Sequence, residues 1–205
     1  MIGVSGGTGR LAGELKKILE ADYFGVEHFD FTYEVPKKDY ELIIHMGAWT
    51  DIVKGEVERE KCFDTNVKGT WNMVEAYRDT PFLYISTEYA HHPELSVYAL
   101  SKQLGEEIVK THPHHLILRT SFKPRPWAYD YAYDDQWTIA DYTDVIAKEL
   151  VDYVNLWDRK TSYFGYMGTG RKRMIDLAKQ TKPDVKPNKV SDYKYGHLIP
   201  KDYEN

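Results

Sequence analysis

The chain has 205 residues, a formal net charge of −5 and a single cysteine, Cys62. This length suits one domain with a substantial core, and the charge does not support nucleic acid or a membrane surface as the main partner. The lone cysteine excludes an internal disulfide and a cysteine-based zinc site, and the histidines lack a regular ligand spacing with carboxylates, so no metal is expected. No apolar run approaches about 18 residues, and a glycine-rich loop starts where a signal peptide would lie. We therefore expect a cytoplasmic protein.

The first residues predict a strand, a tight turn and a helix. Residues 2–5 form an apolar run, and the apolar residues that follow Ala12 continue at helical spacing. Gly6 permits a tight turn, Gly9 lets backbone N–H groups approach a pyrophosphate, and Ala12 lets the helix pack closely on the strand. The pattern predicts a dinucleotide site, although a glycine-rich turn can also serve only as a connection. The candidate cofactor contacts here are Gly6, Thr8, Gly9, Arg10 and Leu11.

A second strand is predicted at residues 25–29, and Asp30 follows it where an acid that binds the cofactor ribose is expected. Residues 31–40 are polar and too few for a helix and a strand, which predicts a shortened crossover. Strands are then predicted at 41–46, 82–85 and 115–118, a loop at 49–54, and helices at 56–77 and 94–110. Alternating helices and continuous apolar strands predict a Rossmann-like, doubly wound parallel sheet, which binds ligands at the carboxyl ends of its strands.

The last third of the chain loses this regular pattern. A proline-rich break at 123–127 and a loop rich in Tyr and Asp at 128–137 precede a predicted helix at 140–157. A strand at 163–167, a helix at 171–179 and a tail that wraps the surface from residue 183 complete the prediction. We expect residues 1–122 to form a dinucleotide-binding core, and residues 123–205 to form a small substrate-side lobe that is integrated with it.

A second constellation combines Tyr98 and Lys102, which share one face of a helix at positions i and i+4. A nearby cation favours the phenolate form of a tyrosine, so Tyr98 could act as a general acid or base. Ser86 and Thr87 follow a predicted strand and could hydrogen-bond the same reacting oxygen. The alternatives are an exposed Tyr–Lys pair and a simple helix cap.

Together these residues resemble the extended short-chain dehydrogenase/reductases, and within them the dTDP-4-dehydrorhamnose reductase-like group. The similar stretches are residues 5–12, 43–50, 84–89 with Glu88 in place of the usual Asp, 98–102 and 118–121. The resemblance implies that Tyr98 protonates a keto oxygen, that Lys102 binds the nicotinamide ribose and lowers the tyrosine pKa, and that Thr87 orients the carbonyl. It also implies cofactor contacts at Gly47, Ala48, Trp49, Asn66, Ser86, Lys102 and Ser121, and substrate contacts at Thr87, Glu88, Tyr98 and Arg119.

The predicted function is an NAD(P)-dependent reductase, or an epimerase, of a nucleotide-linked sugar, and a homodimer is one expected assembly. The alternative is a non-catalytic dinucleotide-binding regulatory subunit, which the shortened C-terminal lobe favours. Asp30 would favour NAD, whereas Arg10 could pair with the 2′-phosphate of NADP. The prediction favours NADP. Arg119 could meet a substrate phosphate or pair with a carboxylate in the core.

Overall fold

The computed structural model describes residues 1–25, 30–35 and 38–203. A six-stranded parallel sheet is built from β1 (Ile2–Ser5), β2 (Asp22–Phe24), β3 (Leu42–His45), β4 (Phe82–Thr87), β5 (His115–Thr120) and, after the short strands named below, β10 (Tyr163–Tyr166). The strand order is β10-β5-β4-β3-β1-β2. The chain therefore runs from β1 to β2 at one edge and then crosses to the other side of β1 to form β3. A doubly wound sheet opens a ligand cleft where the direction of winding changes, which here is between β1 and β3. The predicted Rossmann-like fold is confirmed.

Helices cover both faces of this sheet. They are α1 (Arg10–Leu15), α2 (Ile52–Val57), α3 (Arg59–Phe63), α4 (Gly69–Ala76), α5 (Val97–Val109), α6 (Thr143–Leu156) and α7 (Met174–Lys179), with a π-helical turn at Asp64–Lys68 and a 3-10 turn at Glu88–His91. Alternate strand residues point to opposite faces, so Val4 and Ile44 pack with α1 and α6, while Ile43 and Phe82 pack with α4 and α5. This double burial explains why the strands read as continuous apolar runs.

The last third contributes three short two-stranded ribbons beside the main sheet. They join β6 (Phe122–Lys123) to β9 (Asp141–Tyr142), β7 (Tyr131–Tyr133) to β12 (Lys186–Asn188), and β8 (Trp137–Thr138) to β11 (Lys172–Arg173). A separate apolar cluster that includes Trp127, Tyr142 and Leu177 fills the space between the ribbons and α7. In the described ranges no helix is long and apolar enough to cross a membrane.

Several predicted boundaries change for local reasons. The helix predicted from residue 94 begins at Val97, because the Ser96 hydroxyl caps it by accepting the N–H of Ala99 at 3.1 Å. The helix predicted at 56–77 is divided, since Glu58 leaves the helical region at φ −104° and ψ 50°. The predicted loops at 49–54 and 128–137 contain the start of α2 and the strand β7. The second strand, β2, ends before the predicted run, of which residues 26–29 lie outside the described part.

Candidate active site

The glycine-rich loop after β1 is shaped by the loop that follows β3. Gly6 has a φ of +74°, and a Cβ added there would lie 2.7 Å from the backbone nitrogen of Gly47. A side chain at residue 6 would therefore be strained twice, by the backbone angle and by the contact. The N–H of Gly9 donates to the carbonyl of Gly6 at 2.9 Å, which closes the turn. The result is two backbones held close together at the carboxyl ends of β1 and β3.

A cavity of about 590 Å³ opens at this point and continues along the ends of β4 and β5. It brings together most of the residues that the sequence singled out. The predicted residues that line it are Gly6, Thr8, Gly9, Arg10, Leu11, Gly47, Ala48, Ser86, Thr87, Tyr98, Lys102 and Ser121. The glycine-rich loop and the Tyr98–Lys102 pair therefore belong to one site.

A buried hydrogen-bonded chain fixes the floor between the two loops. Ser5 Oγ accepts the N–H groups of Met46 and Gly47, both at 3.1 Å. Its own hydroxyl is left to donate to His45 Nδ1 at 2.6 Å, so the imidazole carries its proton on Nε2, which faces Thr70 Oγ1 at 3.2 Å. Burial, together with the nearby Lys102 charge, lowers the pKa of His45 to about 3. His45 therefore holds the two loops as a neutral group.

This chain leads to an expected pH effect on stability. The pKa of His45 falls from 6.5 to about 3 on folding, so between these values the unfolded chain binds more protons, and stability decreases as the pH falls. Between pH 7 and pH 5, we expect the unfolding free energy of the wild type to fall by about 2 kcal/mol more than that of His45→Gln. Urea unfolding of both proteins at the two pH values measures the difference. Equal losses in both proteins would contradict this assignment.

Tyr98 and Thr87 lie side by side in the cavity. Tyr98 is 9% exposed, and burial raises its pKa to about 12, while a hydrogen bond with Thr87 opposes the shift. Thr87 Oγ1 also accepts the N–H of Tyr89 at 3.2 Å, which fixes the threonine at the start of a 3-10 turn. The arrangement presents a protonated phenol beside a second hydroxyl. The sequence-based expectation of a lowered tyrosine pKa does not hold here, since burial outweighs the neighbouring groups.

Lys102 is oriented toward the sheet. Its ammonium donates to the carbonyl of Ile85 at 2.9 Å and lies 4.0 Å from the centre of the Tyr84 ring. Burial lowers the pKa of Lys102 to about 7, with Glu106 opposing the shift. This lysine is therefore poised between its charged and neutral forms near neutral pH.

Arg119, predicted as a substrate contact, has a partner inside the fold instead. Its guanidinium donates to both carboxylate oxygens of Glu106, at 2.8 and 2.7 Å, and Ser86 donates to the same carboxylate. Arg119 does not line the cavity. Of the two alternatives left open by the sequence, the core ion pair is the one found, because a buried carboxylate requires a nearby cation.

Glu88, also predicted to contact substrate, is 1% exposed and does not line the cavity. Its carboxylate accepts the Thr138 hydroxyl at 2.7 Å and the N–H of Ile139 at 3.1 Å. Burial raises its pKa, and these hydrogen bonds oppose the shift. Glu88 therefore ties the end of β4 to the last third of the chain.

Three predicted cofactor contacts lie outside the cavity lining. Asp30 is exposed, and its carboxylate accepts the N–H of Thr32 at 2.9 Å, as a turn residue does. The Asn66 side chain clamps the backbone of Trp49, accepting its N–H at 2.8 Å and donating to its carbonyl at 3.1 Å. This clamp fixes the loop after β3, whose Gly47 and Ala48 do face the cavity.

The sequence did not single out several residues that do line the cavity. Phe31 packs edge-on against the His45 ring, with 5.3 Å between ring centres, and Tyr129 lines the cavity from the loop rich in Tyr and Asp. Lys123 lines it two residues after Ser121, from β6. The aromatic content of 128–137 was the only sequence signal for these lining residues, because the local pattern does not show which side a loop residue faces.

The residues present fit a bound dinucleotide. A Cβ on Gly9 would lie 3.1 Å from the Gly6 carbonyl oxygen, so the loop has the close backbone approach that a pyrophosphate needs. The N–H groups that follow Gly9 begin a helix and lack intrahelical acceptors. Within the described ranges, no three His, Cys, Asp or Glu side chains are grouped to hold a metal ion.

The fold and the site define a Rossmann-like α/β protein with its cleft at the switch point of the sheet. A family model described as "RmlD substrate binding domain" matches residues 1–136. The chain belongs to this family. A curated dTDP-4-dehydrorhamnose reductase from Aggregatibacter actinomycetemcomitans is 26% identical in an alignment of 177 positions that covers 72% of this chain and 55% of that protein. The chain thus spans about half the length of that relative.

Solved structures show the same fold. A dTDP-4-dehydrorhamnose reductase from Clostridium acetobutylicum aligns with a TM-score of 0.82 and 20% identity, covering 98% of this chain and 88% of that one. The reductase from Bacillus anthracis, solved in complex with NADP, aligns with a TM-score of 0.80 and 19% identity over the same shares. At these identities the likeness concerns the fold.

Proposed function

We propose that this chain is an NAD(P)-dependent reductase of a nucleotide-linked keto sugar. The observation that carries the proposal is that Thr87, Tyr98 and Lys102 line the same cavity as the glycine-rich loop. The cofactor, when bound, would supply the hydride. A reduction also needs an acid, and we assign this role to Tyr98 because its phenol lines the cavity beside Thr87.

Each side chain has a distinct part in the proposal. Thr87 orients the substrate carbonyl beside the phenol, with which it already shares a hydrogen bond. Lys102 holds a ribose hydroxyl and supplies positive charge near Tyr98 in its protonated form. Residues 6–11 hold the pyrophosphate through backbone N–H groups.

NADP is the proposed cofactor. Arg10 lines the cavity with a charged side chain, whereas Asp30 is exposed and bonded within its own turn, which weakens the reason to expect NAD. The complex of the Bacillus anthracis reductase with NADP supports the same choice. The proposed substrate is a nucleotide sugar, and the proposed location is the cytoplasm. The proposed assembly is a homodimer, which sedimentation would test.

The test is oxidation of NADPH and NADH by the purified chain in the presence of a panel of nucleotide-linked 4-keto sugars. Turnover with at least one sugar, faster with NADPH than with NADH, is the expected result. Tight binding of a dinucleotide without turnover of any sugar would overturn the reductase proposal.

The second candidate is a non-catalytic dinucleotide-binding regulatory subunit. The observation that favours it is the orientation of Lys102, whose ammonium donates to Ile85 O and not to Tyr98. A regulatory subunit would bind NADPH and leave it unoxidised with every sugar. An epimerase would instead convert a sugar without net consumption of the cofactor.

A further inference from the structure

Lys123 is a half-buried cation in the cavity wall that has no part in the proposed reaction. It lies on β6, where its backbone pairs with Tyr142 and its carbonyl accepts the Thr143 hydroxyl at 2.9 Å. In the part of the chain that the structure describes, its ammonium makes no hydrogen bond or ion pair. The backbone is thus held in place, while the charged end is left without a partner.

A second cation, Arg10, lines the same cavity from the glycine-rich loop. Among the described residues Arg10 likewise has no ion pair, whereas the nearby Arg125 pairs with Asp144 at 2.9 Å and Lys172 lies 3.9 Å from Asp141. Arg125 and Lys172 are therefore matched by carboxylates. Lys123 and Arg10 are near enough that the arginine charge lowers the lysine pKa, in addition to the effect of burial.

The Glu88 carboxylate acts in the opposite direction and raises the pKa of Lys123. Its oxygens are already engaged by Thr138, the backbone of Ile139 and Ser121. Glu88 therefore offsets part of the cost of burying the ammonium without contacting it. Two unpaired cations beside a glycine-rich loop suit an anion that carries at least two charges.

We propose that Lys123 binds the diphosphate of a ligand in this cavity. This proposal rests on the proposed function, since both the dinucleotide and a nucleotide sugar contain a diphosphate. Lysine suits the role because its ammonium is a compact charge that contacts a phosphate oxygen from several directions. In this role Lys123 favours the binding of diphosphate ligands over monophosphate ligands.

The test uses calorimetry on the full chain with three probes: NADPH, UDP added to the NADPH complex, and 2′-AMP, which lacks a diphosphate. Lys123→Met should weaken NADPH or UDP binding by about tenfold or more, the loss expected for one charge-assisted hydrogen bond. Lys123→Arg should stay within about threefold of the wild type, and 2′-AMP should be unaffected. The exposed Lys148 provides the control, because Lys148→Met makes the same charge change on the outer surface of α6.

The pattern of losses distinguishes the sources of the diphosphate. A loss with NADPH alone assigns Lys123 to the cofactor, and a loss with UDP alone assigns it to the nucleotide sugar. Unchanged affinity for both probes in Lys123→Met overturns the proposal, and a lowered melting temperature in that case would mean that the lysine only balances Glu88. An equal loss of 2′-AMP affinity, or a loss in Lys148→Met, also overturns it.

Failure of the reductase proposal is a separate result. Wild-type protein that binds NADPH but oxidises it with no sugar refutes the reductase, while the titrations still decide the role of Lys123. Wild-type protein that binds none of the three probes refutes both proposals together.

Discussion

Replacing Tyr98 with Phe is expected to reduce turnover by a factor on the order of 10²–10⁴, the usual contribution of a general acid. The change removes one hydroxyl and keeps the ring, which is 9% exposed and packs against Tyr89 with 6.3 Å between ring centres. Cofactor affinity should change little, because the phenol does not carry the dinucleotide. Initial rates of NADPH oxidation at saturating sugar, together with calorimetry of cofactor binding, measure the two quantities.

Two further variants make this result specific. Tyr129→Phe removes a hydroxyl from the same cavity without touching the Thr87–Tyr98 pair, so its turnover should stay near that of the wild type. Lys102→Met should lower both turnover and cofactor affinity, since the ammonium is proposed to serve both. Undiminished turnover in Tyr98→Phe would mean that another group donates the proton.

Replacing Gly9 with Val is expected to weaken NADPH binding by at least about 100-fold, because a branched side chain would occupy the close approach that a pyrophosphate needs. A Cβ at this residue lies 3.1 Å from the Gly6 carbonyl oxygen, so the neighbouring loop must also shift slightly. The φ of Gly9 is −70°, which any residue adopts. The fold should therefore survive, and calorimetry with NADPH and NADH measures the loss.

Gly13→Ala is the matched control for this variant. It adds a methyl group to the same helix, at a position where nothing lies within 4 Å of the new Cβ. Alanine also favours a helix over glycine by about 1 kcal/mol, so stability should stay equal or rise while cofactor affinity is unchanged. Affinity retained in Gly9→Val would show that the dinucleotide does not lie on this loop.

The sequence predicted the central sheet because its strands are short apolar runs that alternate with helical patterns. Residues 2–5 and 115–118 read in this way, and both lie within strands. It predicted the glycine-rich turn for the same kind of local reason, since the residues at 6 and 9 act within one turn. Boundaries changed at local features of the chain, as where the Ser96 hydroxyl caps α5 and where Glu58 leaves the helical region.

The site was predictable to the extent that its residues share a local pattern. Tyr98 and Lys102 share a helix face through spacing alone, and both do line the cavity. The charge state of the pair was not predictable, because desolvation raises the pKa of Tyr98 to about 12 and lowers that of Lys102 to about 7. Desolvation depends on how many atoms from other elements surround a group, which spacing along a chain does not encode.

By itself, then, the sequence determined the parallel sheet, the turn after β1 and the helix face that carries Tyr98, because each is indicated by a local pattern of residue types. Only the tertiary structure decided which polar residues face the cavity. Arg119 pairs with Glu106 across two elements, and Glu88 turns toward Thr138, so neither lines the cavity. The physical reason is that a buried charge is placed by the partner it finds in space, and that partner lies far away along the chain.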